Sequence, residues 1–150
     1  MKVLLVEDSN DKRNMITDAL NHYESGIKIE LEESVRGAID RVDSVEQFDL
    51  ILLDMSLPLF DITDEIPDGG EAESFGGHEI IEQMSFLHIY TPVVVITHYR
   101  AFQGGTTYEA LEAELKQSYP EIVKGMIYYD HPSSTWKQEL MRILENFENL

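Results

Sequence analysis

The chain has 150 residues, 43% of them hydrophobic, enough for one domain with a real core and too few for two comfortable ones. Its 29 acidic and 11 basic residues give a formal charge of −18, which opposes binding to a nucleic-acid backbone or an anionic membrane surface and leaves proteins or metal ions as expected partners. It has no cysteine for disulfides or thiolate zinc sites, no apolar stretch near the roughly 20 residues of a membrane span, and no room for a signal peptide before Lys2, so a cytoplasmic location is expected.

In chain order, strand-like runs alternate with helix-like periodicity. Residues 2–6 are short, continuous and rich in Val and Leu, the pattern of a strand buried on both faces, and they stop on Glu7 and Asp8. Ser9 and Asn10 are cap candidates for a helix that carries Met15, Ile16, Ala19, Leu20 and Tyr23 at helical spacing. Gly26 ends it, residues 27–31 alternate like a strand, and Ser34 caps a second helix burying Val35, Ala38, Ile39 and Val42. Residues 48–54 form a third strand that ends on Asp54. After a long polar stretch, Ile80, Ile81, Met84 and Leu87 mark a third helix, and residues 92–97 form a fully buried strand ending on Thr97. Thr106 with Glu109 reads as a capping box for a helix carrying Tyr108, Leu111 and Leu115, which Pro120 stops. Residues 123–129 make the fifth strand, and a last helix from about Ser134 places Trp136, Leu140, Leu144 and Phe147 on one face. Five strands and five helices in strict alternation predict an α/β fold, a parallel sheet covered on both faces by right-handed crossovers.

In such sheets ligands sit beyond the carboxyl ends of the strands, where the strand order reverses. Glu7 and Asp8 follow strand one, Asp54 closes strand three, Thr97 closes strand four and His131 with Pro132 follows strand five, so all project at one edge. Two carboxylates about 4 Å apart repel by about 4 kcal/mol at an effective dielectric of about 20. A trio of them holds a proton or a divalent cation, and a cation-assisted site is the expectation.

Four stretches at these strand ends carry a family resemblance: Val-Leu-Leu-Val-Glu-Asp at 3–8, Asp-Leu-Ile-Leu-Leu-Asp-Met-Ser-Leu-Pro at 49–58, Pro-Val-Val-Val-Ile-Thr at 92–97 and Tyr-Tyr-Asp-His-Pro at 128–132. Together, and in this order, the chain resembles the response-regulator receiver domain of two-component signalling over nearly its whole length. The resemblance implies a flavodoxin-like, doubly wound five-stranded parallel sheet in the order 2-1-3-4-5 with helices on both faces, as a single receiver-like domain over 1–150. It implies that Asp54 accepts a phosphoryl group from a phosphohistidine on a histidine kinase or phosphotransfer protein. Mg²⁺ would be held by Asp8, Asp54, the backbone carbonyl of Ser56 and, through water, Glu7; this suits a cation that takes a few carboxylates and neutralises a transferring phosphoryl group. Thr97 would donate its hydroxyl to a phosphoryl oxygen, and Tyr128 would be the aromatic that changes rotamer. Apart from this self-catalysed phosphorylation and dephosphorylation no enzyme activity is expected. Output would pass through another protein, and a homodimer stays open.

Two positions depart from the family pattern. His131 stands where the family places a lysine that pairs with the phosphoryl group, and only its imidazolium form could partly replace that charge. Arg100 is the nearby candidate substitute, because Lys124 begins the same strand and falls at its far edge. At His98 the family prefers a very small residue. Two segments are long: residues 59–76, with Asp61, Asp64, Glu65, Asp68, Glu71 and Glu73, read as an acidic insertion, and 98–121 as an extended connection. No Lys or Arg occurs from Val42 to Tyr99, so the insertion is either an acidic lid facing a basic partner or a solvated loop. Its spacing fails the calcium-loop pattern, with Ile66 at the glycine position. The alternative to a working phosphoacceptor is a degenerate receiver acting as a phosphorylation-independent interaction module. A flavin carrier is disfavoured because Glu7 and Asp8 would repel its phosphate.

Overall fold

Successive residues of a strand leave the sheet on opposite faces, and in the central strands of this chain both sets are apolar. The computed structural model describes residues 1–58, 72–73, 76–101, 105–130 and 132–148. Strands β1 (Lys2–Val6), β2 (Lys28–Glu32) and β3 (Leu50–Leu53) precede two short strands, β4 (Leu57–Pro58) and β5 (Ala72–Glu73), and the series ends with β6 (Val93–Thr97) and β7 (Val123–Tyr128). The helices between them are α1 (Asn10–Tyr23), α2 (Val35–Val42), α3 (Gly76–Phe86), α4 (Tyr108–Ser118) and α5 (Thr135–Glu148). Five strands form one parallel sheet in the order β2-β1-β3-β6-β7. With the two short strands set aside, this is the expected 2-1-3-4-5 order.

The two faces of the sheet bury two separate cores. Leu4, Val6, Ile51, Leu53, Val93 and Val95 point to one face, beneath Val35 and Ala38 of α2, Ile80, Ile81 and Met84 of α3, and Leu111 and Leu115 of α4. Val3, Leu5, Leu50, Leu52, Val94 and Ile96 point to the other, beneath Ile16 and Leu20 of α1 and Trp136, Leu140 and Leu144 of α5. Side-chain oxygens cap three helices: Ser9 accepts from Lys12 N, Ser34 from Gly37 N and Thr107 from Ala110 N. The last corrects the expected Thr106 cap by one residue. Tyr108 N donates to Arg100 O at 2.9 Å and Ala101 bridges Thr107, so the chain is pinned there and Thr106 falls outside the helix.

The acidic insertion has a structured base. Leu57 pairs with Glu73 and Pro58 with Ala72 as a two-residue antiparallel ladder, so the chain returns to the point it left before α3 begins. Residues 59–71, which carry most of the acids of the proposed lid, lie outside the described residues. Among the described residues, no helix is long and apolar enough to cross a membrane.

Candidate functional site

Parallel pairing puts the carboxyl ends of the strands at one edge, and the register brings the acids together. Val6 lies opposite Leu53 and Leu53 opposite Val95, so the next residues along, Glu7, Asp54 and Ile96, stand side by side where the sheet stops. The ladder runs past the strand ends: Glu7 N donates to Glu32 O at 3.0 Å, Asp54 N to Val6 O at 3.0 Å, and Tyr129 N to Thr97 O at 2.8 Å. The first two bonds fix the backbone of Glu7 and Asp54. Carboxylate oxygens of Glu7, Asp8 and Asp54 lie within 4.8 Å of one another. Glu7 is 1% exposed and Asp54 3%, whereas Asp8 is exposed to solvent.

A residue that the sequence reasoning passed over completes this cluster. Lys12, in the first turn of α1, is 4% exposed. Its ammonium lies 2.7 Å from Glu7 Oε2 and 3.2 Å from Asp54 Oδ1, and donates to Ile96 O at 2.7 Å. The three N–H donors of a lysine thus find three acceptors, which offsets the several kcal/mol an unpartnered buried ion would cost. The face of the Tyr129 ring lies 5.6 Å from the same nitrogen. The signal was present in the sequence. Lys12 stands four residues before Ile16 and eight before Leu20, on the stripe of α1 that faces the sheet.

Even with Lys12 in place the site holds too much negative charge. Burial, then the charge of Asp54, pushes the Glu7 carboxyl up to about 8, against the pull of Lys12 and the Ser9 N–H. Burial also raises Asp54, opposed by Lys12 and His98 and reinforced by Asp8. Burial disfavours the Lys12 ammonium, but Asp54 and Glu7 outweigh it and hold its pKa above the ordinary lysine value. With all three carboxyls ionised, one ammonium would leave two negative charges uncompensated, a deficit that a proton on Glu7 or a bound cation relieves. An all-oxygen donor set with one exposed member and that deficit fits a hard divalent cation such as Mg²⁺.

The remaining expected site residues are placed as follows. Thr97 is fully buried at the end of β6, and its Oγ1 accepts from Tyr99 N at 3.3 Å. Ser56 lies in the β3–β4 turn, two residues past Asp54, and Asp54 Oδ1 also accepts from Met55 N at 2.8 Å. Tyr128 is half-buried at the end of β7, with the Arg100 guanidinium 3.9 Å from its ring centre and Tyr108 edge-on at 6.0 Å. Arg100 is therefore spent on the Tyr128 ring, and the described cation at Asp54 is Lys12. His98 is exposed, stacked on Tyr99 at 4.0 Å, and so sits at the mouth rather than inside. His131 lies outside the described residues. Lys12, His98, Tyr128, Tyr129 and Asp130 line an open cavity of about 420 Å³ beside the site.

No protein-family profile matches the chain. The Detocs response regulatory protein DtcB of Enterobacter cloacae (strain JD6301) is 28% identical over 145 residues, which cover 95% of this chain and 97% of that protein. Among solved structures, the phosphorylated cyanobacterial phytochrome response regulator RcpA superposes with a TM-score of 0.67 at 21% identity, covering 97% of this chain and 92% of that one. The receiver domain of the sensor histidine kinase PA1611 from Pseudomonas aeruginosa PAO1, which has magnesium coordinated in its active-site cleft, gives 0.64 at 19% identity, covering 99% and 98%. The chain thus has the receiver fold of response regulators, and its similarity to a response regulatory protein runs along almost the whole of both.

Proposed function

We propose that the protein is a receiver that accepts a phosphoryl group on Asp54 and signals through a protein partner. The observation that carries this is the convergence of Glu7, Asp8 and Asp54 oxygens within 4.8 Å at the strand ends, in a fold shared with a receiver domain that coordinates magnesium. Asp54 Oδ attacks the phosphorus of a phosphohistidine, the P–N bond breaks, and the leaving imidazole takes up a proton, giving an aspartyl-phosphate. Asp8, Asp54, the Ser56 carbonyl and, through water, Glu7 would hold Mg²⁺, whose contribution is to neutralise charge on the transferring group. Thr97 supplies a hydroxyl donor at the end of the neighbouring strand. Its engagement would draw in the loop that carries Arg100, and Arg100 packs on Tyr128, so the change reaches the surface of α4 and β7.

Intact-mass measurement after incubation with acetyl phosphate and Mg²⁺ tests this, with Asp54→Asn alongside. A phosphate-sized gain that vanishes in the variant is the expected result. No gain, together with no binding of a beryllium-fluoride mimic, would instead make the chain a degenerate receiver that works by shape alone. Repeating the incubation in EDTA tests the magnesium requirement, and replacing acetyl phosphate by a phosphorylated histidine kinase or phosphotransfer protein tests the donor.

A further inference from the structure

We infer that Lys12 supplies the permanent positive charge of the phosphoryl site, pairing with Asp54 at rest and with the phosphoryl oxygens once Asp54 is modified. This rests on the phosphoacceptor reading above and adds to it a residue from an element the family pattern does not use. Geometry points to it in three ways. The ammonium touches the nucleophile itself, 3.2 Å from Asp54 Oδ1. It is held on the inner side of Asp54, anchored by Ile96 O at the end of β6 and facing the Tyr129 ring beyond β7, while Asp8 lies exposed on the β1 side. It therefore leaves the solvent side of the carboxylate trio open for a metal ion. Finally, Lys12 forms part of the wall of an open cavity beside the strand ends, with His98, Tyr128 and Asp130.

Lysine suits this position chemically. Its stem spans from the first turn of α1 to the sheet edge, and three rotatable donors can exchange a carboxylate oxygen for a phosphoryl oxygen without moving the helix. Ile96 O and Glu7 Oε2 remain as anchors through that exchange. Arg100 cannot take the role while it covers Tyr128.

The test uses the full chain as Lys12→Met and Lys12→Gln, the second keeping N–H donors without the charge, so it carries the test if the first does not fold. Three quantities are measured: rate of the phosphate-sized mass gain with acetyl phosphate, affinity for beryllium fluoride at saturating Mg²⁺, and affinity for Mg²⁺ alone by calorimetry. Loss of Lys12 is expected to lower the first two by about tenfold or more. Mg²⁺ affinity should hold or rise, because the carboxylates lose a competing charge. Unchanged or faster labelling would overturn the inference and leave the phosphoacceptor reading standing. A joint fall of mimic and Mg²⁺ affinity would assign Lys12 to holding the fold and overturn it as well. If the unmodified chain takes no phosphate, both readings fail together.

Discussion

Glu7 is the residue whose energetics depend most on what else occupies the site. Its carboxyl sits at about 8 in the folded chain against an ordinary 4.5, first because it is buried and then because Asp54 is beside it. Between those values the native state binds a proton that the unfolded state has released, so the folded state binds more protons and this group's contribution to stability falls as pH rises. The loss is complete above the folded value and does not return. In EDTA the thermal midpoint is therefore expected to decline between about pH 5 and about pH 8, with a shallower slope in Glu7→Gln. Parallel slopes would clear Glu7 of responsibility. Millimolar Mg²⁺ replaces the proton as the neutralising charge, so it should flatten the wild-type slope, and calorimetry in buffers of different ionisation enthalpy should detect proton release on binding.

At the scale of elements, the site depends on how closely α3 approaches the phosphoacceptor loop. Gly77 N donates to Met55 O at 2.9 Å, and a Cβ on Gly77 would lie 2.5 Å from Asp54 O and 3.0 Å from Met55 Cα. Those are backbone atoms that no side-chain rotation can clear. Gly77→Ala should therefore push α3 and the Asp54 loop apart, costing about 1–3 kcal/mol in urea unfolding and weakening Mg²⁺ binding. Gly26→Ala, with nothing within 4 Å of the added carbon, is the control and should stay within about 0.5 kcal/mol of the parent. Equal stability for both variants would mean that α3 docks less tightly than these distances say. On the same face of the sheet, at its β2 edge, Arg41 of α2 meets Glu32 of β2 at 3.0 Å, Glu46 at 3.0 Å and Glu30 at 3.5 Å, which ties the exposed edge strand to its helix. A charged edge gripped in this way is a poor template for pairing with another chain.

The whole molecule carries −18, so self-repulsion works against the compact state at neutral pH. Raising ionic strength from about 0.01 M to about 0.15 M shortens the screening length from about 30 Å to about 8 Å and should raise the thermal midpoint. Mg²⁺ at matched ionic strength should add a further, saturable increase that Asp54→Asn reduces. A midpoint indifferent to both would mean that neither the general charge nor the acidic cluster is under electrostatic stress. The same charge opposes the approach of polyanions and favours that of cations.

Much of this architecture was legible in the linear chain because its signals are local. Continuous apolar runs with polar or charged stops marked β1, β3 and β6, and Ser9 and Ser34 marked helix starts through bonds only three residues long. The strand-end acids could be grouped from alternation alone, since parallel pairing sends every carboxyl end to one edge. Thr106 against Thr107 was decided by a non-local bond, Tyr108 N to Arg100 O, that no periodicity encodes. The same holds for the cations. Arg100 is close to Thr97 in sequence but lies on the Tyr128 ring, whereas Lys12, on a helix from the other end of the chain, enters the site. Sequence by itself determined which acids would meet and at which edge. Only the tertiary structure decided which positive charge would join them, because that depends on how α1 lies against the sheet, and groups eighty-four residues apart, as the Lys12 ammonium and the Ile96 carbonyl are, meet only once the layers are packed.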